Sequence, residues 1–481
     1  MASLSRRCQI GVLVLLVLVL TVRLSSNNWV VNVFGYKQPK EVVINQIELR
    51  SETKTFQSNA QDSVEATVLI PSTTEKLPTP TSRTSPFTRV SNEEIYIYSA
   101  IANIEYVDKK KQLENKQIAS FDAELILTTM DATKQGYNCC VIYHDSESVT
   151  LTLSPASYYL REYIVGGPSN EKLYVARQYV CRGTVTSVNN MPEYVTLTSS
   201  SKCPTDQKNF LKVLYPTKQP GIALCGKIAH SGGIDPQKAI EWFEMQKLLG
   251  VDKILIYDLG NPEGLTRVFR HYQQEGILDL QPYELIGEPK TRTLSEAYKR
   301  TAQFNYDETL SVLECRHRMA GYDYIISHDV DEMIIPRKEV DFKTFFQEKW
   351  SQHPTASALF FHTEFFLTTW PASNPEEQLM VKRFRNTTVP RWECYKYVYQ
   401  PSRVITSITH TVFSKPGFGN ANIQPTDAIL HHYRQCPEDT WKTCSVPSKI
   451  DDVMTRYKDL DQKVVKVREA TSTQPIYKII K

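Results

Sequence analysis

The sequence runs to 481 residues, 41% hydrophobic and 23% charged, with a formal net charge of +3. That length accommodates two or three domains and at least one large core. So small a charge excludes the electrostatic footprint of a nucleic-acid-binding protein, and no repeat of solenoid or propeller period is present.

At the N-terminus, Arg6 and Arg7 precede an apolar run, residues 8–22, closed by Arg23. Its 15 uncharged residues fall short of the roughly 20 of a full span. A cleaved signal peptide is the competing reading, but no small-x-small cleavage site follows promptly. Arg23 can snorkel, Trp29 suits an interface, and thin early-secretory membranes accept shorter spans. Residues 1–24 therefore read as a cytosolic tail and signal anchor, with the bulk of the chain in the secretory lumen.

Residues 25–92 read as a flexible stem: PSTTEKLPTPTSRTSPFTR (71–89) has too few large apolar groups to bury a core. Nine of the ten cysteines follow the anchor, at 139, 140, 181, 203, 225, 315, 394, 436 and 444, with no C-x-x-C pair. A zinc site is disfavoured and disulfides are expected. Nine is odd, so one cysteine is expected to be free or to link chains. Asn386-Thr-Thr is an acceptable glycosylation sequon.

Residues 93–207 read as a β-rich accessory domain of sandwich-like spacing. EIYIYSAIA, YNCCVIYH, SVTLTLS, KLYVARQYVC and EYVTLTSS are short runs rich in Tyr, Val, Ile and Thr. From 208 strands and helices alternate. GIALCGKIA is a buried strand, and Asp235-Pro236 opens a helix that ends at Gly250. DKILIYDLG, ILDLQPYEL and ASALFFHTEFFL are further strands, with helices between and a long helical stretch at about 294–320. Such alternation predicts an α/β fold with a mainly parallel sheet and helices on both faces. Phe342, Phe345, Phe346 and Trp350 fall at helical spacing and read as core.

The unusual segment is YDYIISHDVDEMIIP (322–336), where an apolar strand runs into three acids in four positions. In open α/β sheets ligands bind beyond the carboxyl ends of strands. In extended chain Asp329 and Asp331 would face the same side. Adjacent carboxylates repel unless a cation lies between them, and oxygen-rich sites suit Mg²⁺ or Mn²⁺ with a diphosphate. D-x-D alone is a weak signal, and a solvated turn is its bland reading. EF-hand calcium binding fails for lack of the central glycine and later ligands.

The chain resembles glycosyltransferase family 92, which includes animal core-fucose galactosyltransferases and plant galactan synthases. The residues that carry the resemblance are IYSAIA (97–102), KLLGVDKILIYD (247–258), DVDE with its following IIP, KYVYQPSRV (396–404) and HYR (432–434), within roughly 94–435. The resemblance implies a Golgi type II membrane enzyme with a GT-A catalytic domain over 208–481. It also implies an inverting, metal-dependent β-1,4-galactosyltransferase using UDP-galactose, with core fucose of N-glycans as an acceptor. The partners implied are a UDP-sugar, a glycan acceptor on glycoprotein or polysaccharide, one membrane through the anchor, and a second copy as homodimer.

For roles, Asp329, Asp331 and His432 are the expected Mn²⁺ ligands, with His431 and His410 as lesser alternatives. Asp258, Glu332 and Arg434 are expected at the UDP-sugar, with Lys227 a weaker choice. Arg434 suits a diphosphate through its bidentate fork. Glu364 is the expected catalytic base and Glu393 the alternative. Two other readings stand beside this one: a transferase of another UDP-sugar, and a non-catalytic glycan-binding protein of the same fold. A sulfotransferase would need a phosphate loop of which HSGGID (230–235) is only a faint echo.

Overall fold

The computed structural model describes residues 85–473 apart from 91–92, 134–135, 145–148, 159–172, 230–233, 287–301, 437–443, 445–446 and 448, together with the short strands Val22–Ser25, Asn28–Val31 and Val68–Leu69. The expected anchor lies outside the described residues except for its last positions, and so does most of the expected stem; its residues 85–90 are not stem but part of the fold, Thr88–Arg89 pairing with Ile95–Ala102 and Phe87 and Val90 being buried. No described helix is long and apolar enough to cross a membrane.

Two five-stranded sheets occupy the first region. One contains Thr88–Arg89, Ile95–Ala102, Phe121–Asp131, Val175–Val185 and Ser157–Tyr158. The other contains Leu211–Lys212, Pro192–Thr198, Asn138–His144, Val149–Pro155 and Val68–Leu69. Ile97, Leu125, Leu127, Val141, Tyr179, Val195 and Leu197 share one core between them. Cys139–Cys181 crosses that core and Cys140–Cys203 pins the second sheet. Leu211–Lys212 still pairs with this second sheet, so the chain leaves the region a few residues beyond 207.

The other face of the first sheet does not meet water. Tyr98, Met130, Val175 and Ala176 pack with Phe304, Leu310 and Leu313 of the helix Ala302–Arg318. Gln178 Nε2 donates to the Leu313 carbonyl at 3.2 Å, and the Tyr98 hydroxyl donates to the Pro282 carbonyl at 2.8 Å. This seam is apolar at its centre and hydrogen-bonded at its margin, which is how a permanent interface is built.

The second region is one nine-stranded mixed sheet. Its order is Leu278–Pro282, Lys253–Asp258, Ile222–Ala229, Tyr324–Ser327, Arg391–Tyr399, Ala356–Leu367, Ala428–Arg434 and Glu332–Pro336, with Gly419–Ile423 beside Ala356–Leu367. The first four strands are parallel, as the alternation predicts. Beyond Tyr324–Ser327 parallel and antiparallel pairs mix. The helix Pro236–Leu248 begins where expected: Asp235 accepts from the Gln237 and Lys238 N–H groups. It lies on one face with Phe342, Phe345 and Phe346 in the same core, and Ala302–Arg318 lies on the other. Cys225–Cys315 ties that second helix to the strand Ile222–Ala229. Cys436–Cys444 closes a short loop, and Cys394 is disulfide-bonded too, so the odd count leaves no free thiol among the described residues.

Candidate active site

The strand Tyr324–Ser327 stops before His328, and Glu332 opens the next strand. The four residues between form a turn closed by the Glu332 N–H donating to the Asp329 carbonyl at 3.1 Å. The extended geometry expected of Asp329 and Asp331 is therefore absent, and the turn sends the two carboxylates to different partners. Asp329 Oδ1 lies 2.9 Å from Lys227 Nζ and its Oδ2 lies 3.4 Å from Lys396 Nζ. Asp331 Oδ2 lies 3.3 Å from His432 Nε2. The Asp331 side chain is 52% exposed, that of Asp329 36%, and both lysines are buried.

Glu332 is buried and turned into the same cluster. Its Oε1 lies 2.7 Å from Lys396 Nζ and 3.3 Å from His432 Nδ1, and its Oε2 accepts from the Asp329 N–H at 2.9 Å. His432 faces this side because its strand, Ala428–Arg434, alternates and pairs it with Glu332. The Tyr433 N–H donates to the Asp331 carbonyl at 3.1 Å and fixes the turn to that strand. Trp242 supports it from below, donating to the Glu332 carbonyl at 2.8 Å.

The electrostatics follow from this wiring. Burial pushes the Asp329 carboxyl up, but Lys227 and then Lys396 outweigh it and hold it well below its ordinary value. Loss of water acts the same way on Asp331, and His432 outweighs it. Glu332 ends raised, burial prevailing over Lys396. His328 and His410 are lowered to about 4 and about 3, first by burial, so both are neutral near pH 7. His410 Nδ1 is 2.8 Å from the Tyr395 carbonyl, leaving it a structural partner of that strand.

Asp331, Glu332 and His432 place one ligand atom each within 4.8 Å of the others. Two carboxylates and an imidazole are the hard-to-borderline donors that suit Mn²⁺, and the exposed Asp331 leaves a way in. The donor set thus fits the expected ion, with Asp329 lying on the lysines instead of in the set. Arg434 follows on the same strand, its guanidinium pushed down by burial while Asp331 and Glu393 act the other way. Asp258 ends its own strand, where its Oδ1 accepts from the Gly260 N–H and from Asn261 Nδ2. That oxygen shapes the following loop.

Glu364 is not brought to this cluster. It pairs in register with His431, on the opposite face of the Ala428–Arg434 strand, and is buried between Arg337 and Lys449. Glu393 is 37% exposed, with Arg391 3.8 Å away. A cleft of about 840 Å³ between the two regions, lined in part by Asp108, Arg316, Asp323 and Arg403, opens at the amino ends of the strands. It is remote from the carboxylates and takes no part in this site. Lys396 carries no assigned role in the sequence reading, although a lysine inside the apolar run YKYVY is a visible signal.

A family model described as glycosyltransferase family 92 matches residues 232–473. No curated protein matches the chain. Among solved structures, Staphylococcus aureus TarS 1–349 is similar at TM-score 0.25 and 8% identity, over 52% of this chain and 72% of that one. TarS 1–349 in complex with UDP-GlcNAc is similar at TM-score 0.25 and 8% identity, over 54% and 68%. Likeness of this degree says nothing about activity.

Proposed function

The chain belongs to glycosyltransferase family 92, and from that premise we propose an inverting, metal-dependent transfer of galactose from UDP-galactose to a glycan, by a GT-A type catalytic domain. The observation that carries this reading is the exposed Asp331 beside His432, with Lys227 and Lys396 behind, at the carboxyl end of a parallel strand. Asp331 and His432, backed by Glu332, would hold Mn²⁺. When bound, that ion supplies Lewis-acid stabilisation of charge on the departing diphosphate. Arg434 adds a fixed guanidinium on the same side, suited to a phosphate.

An acceptor hydroxyl must lose a proton as it attacks the anomeric carbon. Glu364, paired on both oxygens and sealed on the far face, is poorly disposed for this. Glu393, open to solvent and in the field of Arg434, is the better-placed carboxylate. The four disulfides described in full suit an oxidising compartment, in keeping with a luminal enzyme of the Golgi held by an N-terminal anchor.

The test is UDP release by the full-length protein in detergent across UDP-sugars, with a core-fucosylated N-glycan and a β-galactan as acceptors, with Mn²⁺ and with chelator. Acceptor-dependent release from UDP-galactose, abolished by chelator, is expected. Release from another donor overturns the sugar and keeps the chemistry. No release from a folded protein that also fails to bind UDP with Mn²⁺ overturns the site.

A further inference from the structure

Lys227 occupies a position that a lysine does not take without cause. Its φ is +56°, in the left-handed region, where a side chain on Cβ is disfavoured. The strain arises from a bulge: pairing of Ile222–Ala229 with Lys253–Asp258 shifts between Cys225 and Ile228. The bulge is braced on both sides. Cys225 is bonded to Cys315 of the helix behind, and a Cβ on Gly226 would come within 2.9 Å of Ile256. Glycine would relieve position 227, yet the residue there is a lysine whose ammonium is buried and directed at Asp329. Strain held at such a place points to a task for the side chain.

Pairing Asp329 is not task enough. Lys396 reaches the other oxygen of Asp329 and also pairs with Glu332. Asp329, Asp331 and Glu332 carry three negative charges against two ammonium groups. A divalent cation on Asp331 and His432 would turn that balance positive by one charge, which favours an anion arriving next to it. The half-open carboxylate of Asp329 is the point at which Lys227 is nearest to that anion.

We propose that Lys227 is a donor-diphosphate residue parked on Asp329, whose ammonium opposes the neighbouring divalent cation when no donor is bound and turns to the diphosphate when one is. This rests on the site reading above. It makes an opposed prediction that a purely structural lysine does not: removing the ammonium helps the cation and harms the nucleotide.

The experiment uses the full-length protein and two variants, Lys227→Met and Lys227→Gly. Mn²⁺ alone is titrated by electron paramagnetic resonance, UDP by calorimetry at saturating Mn²⁺, and Tm reports the fold. In both variants Mn²⁺ should bind as tightly as in the wild type or a few-fold tighter. UDP should weaken by roughly 10- to 100-fold, the worth of one charge-assisted contact. Lys227→Gly also removes the backbone strain, so its Tm should hold or rise, and it carries the test if the methionine variant does not fold. Unchanged UDP affinity in a folded variant overturns the proposal. So does a joint fall of Mn²⁺ affinity, UDP affinity and Tm in Lys227→Gly, the mark of a merely structural residue. A wild-type protein that binds neither probe overturns the site reading first and this proposal with it.

Discussion

His431 and His432 are neighbours on one strand and serve two clusters of the same composition. On one face His432 stands with Asp331 and Glu332; on the other His431 stands with Glu364 and Asp451, again within 4.8 Å. The second cluster is sealed. Arg337 bridges Glu364 and Asp451, Lys449 takes the other oxygen of Glu364, and burial drives His431 down to about 3. Its carboxylates already have their cations. In the first cluster the lysines satisfy Asp329 and Glu332 but leave Asp331 open to solvent. A metal-like residue set is thus not in itself a metal site, and what separates the two clusters is one accessible carboxylate, that of Asp331.

That contrast can be broken at its strongest point first. Arg337→Met leaves two buried carboxylates facing each other, and chemical denaturation should show a loss of about 3–5 kcal/mol with Mn²⁺ affinity unchanged. New Mn²⁺ binding at the vacated position would dissolve the distinction. On the open face Asp331→Asn should do the reverse. Tm should stay put while Mn²⁺ affinity falls by more than about 100-fold, beyond the usual cost of losing an outer partner. A loss below about tenfold would return Asp329 to the ligand set.

Glu241 sharpens the comparison as a buried acid held by neutral donors. Gln237 Nε2 donates to it at 3.1 Å and the Val381 N–H at 3.3 Å, and burial raises it from 4.5 to about 7. The folded protein therefore holds this proton more tightly than the unfolded chain. Its contribution to stability is full below about pH 4.5 and is lost as pH rises toward 7, about 3 kcal/mol in all. Glu241→Gln should flatten that slope in denaturation at pH 5 and pH 8; a slope equal to wild type would refute the assignment. The smallest effect is expected of Glu364→Gln, which should keep kcat within a few-fold. A fall of about 10²–10⁴ would mark Glu364 as the base and make the sealed cluster catalytic.

Much of this architecture is readable from pattern. The Asp235 cap, the parallel strands and the aromatic run at 342–350 follow local rules that the packing does not override. Phe121–Asp131 escapes those rules: its Ala, Glu and Leu do not signal a strand, and the central place between two partners makes it one. At the site, the acids of HDVDE are visible but their division of labour is not. The i, i+2 rule applies to extended chain, and residues 328–331 turn. Lys396 and Lys227 reach Asp329 from strands far apart in sequence, a convergence that no spacing encodes. Glu364 looks well placed because its strand ends near the site, but alternation puts it on the wrong face.

The apolar seam between the first sheet and the helix Ala302–Arg318 means that neither half is detachable. A fragment begun at residue 208 would bare Phe304, Leu310 and Leu313 to solvent and strip the support from a helix bonded to the strand of Lys227. A secreted version of the enzyme must therefore start ahead of Phe87, which belongs to the same seam. The catalytic unit, in the sense that matters to a protein chemist, is the whole span from there to the last described helix, Leu460–Thr471.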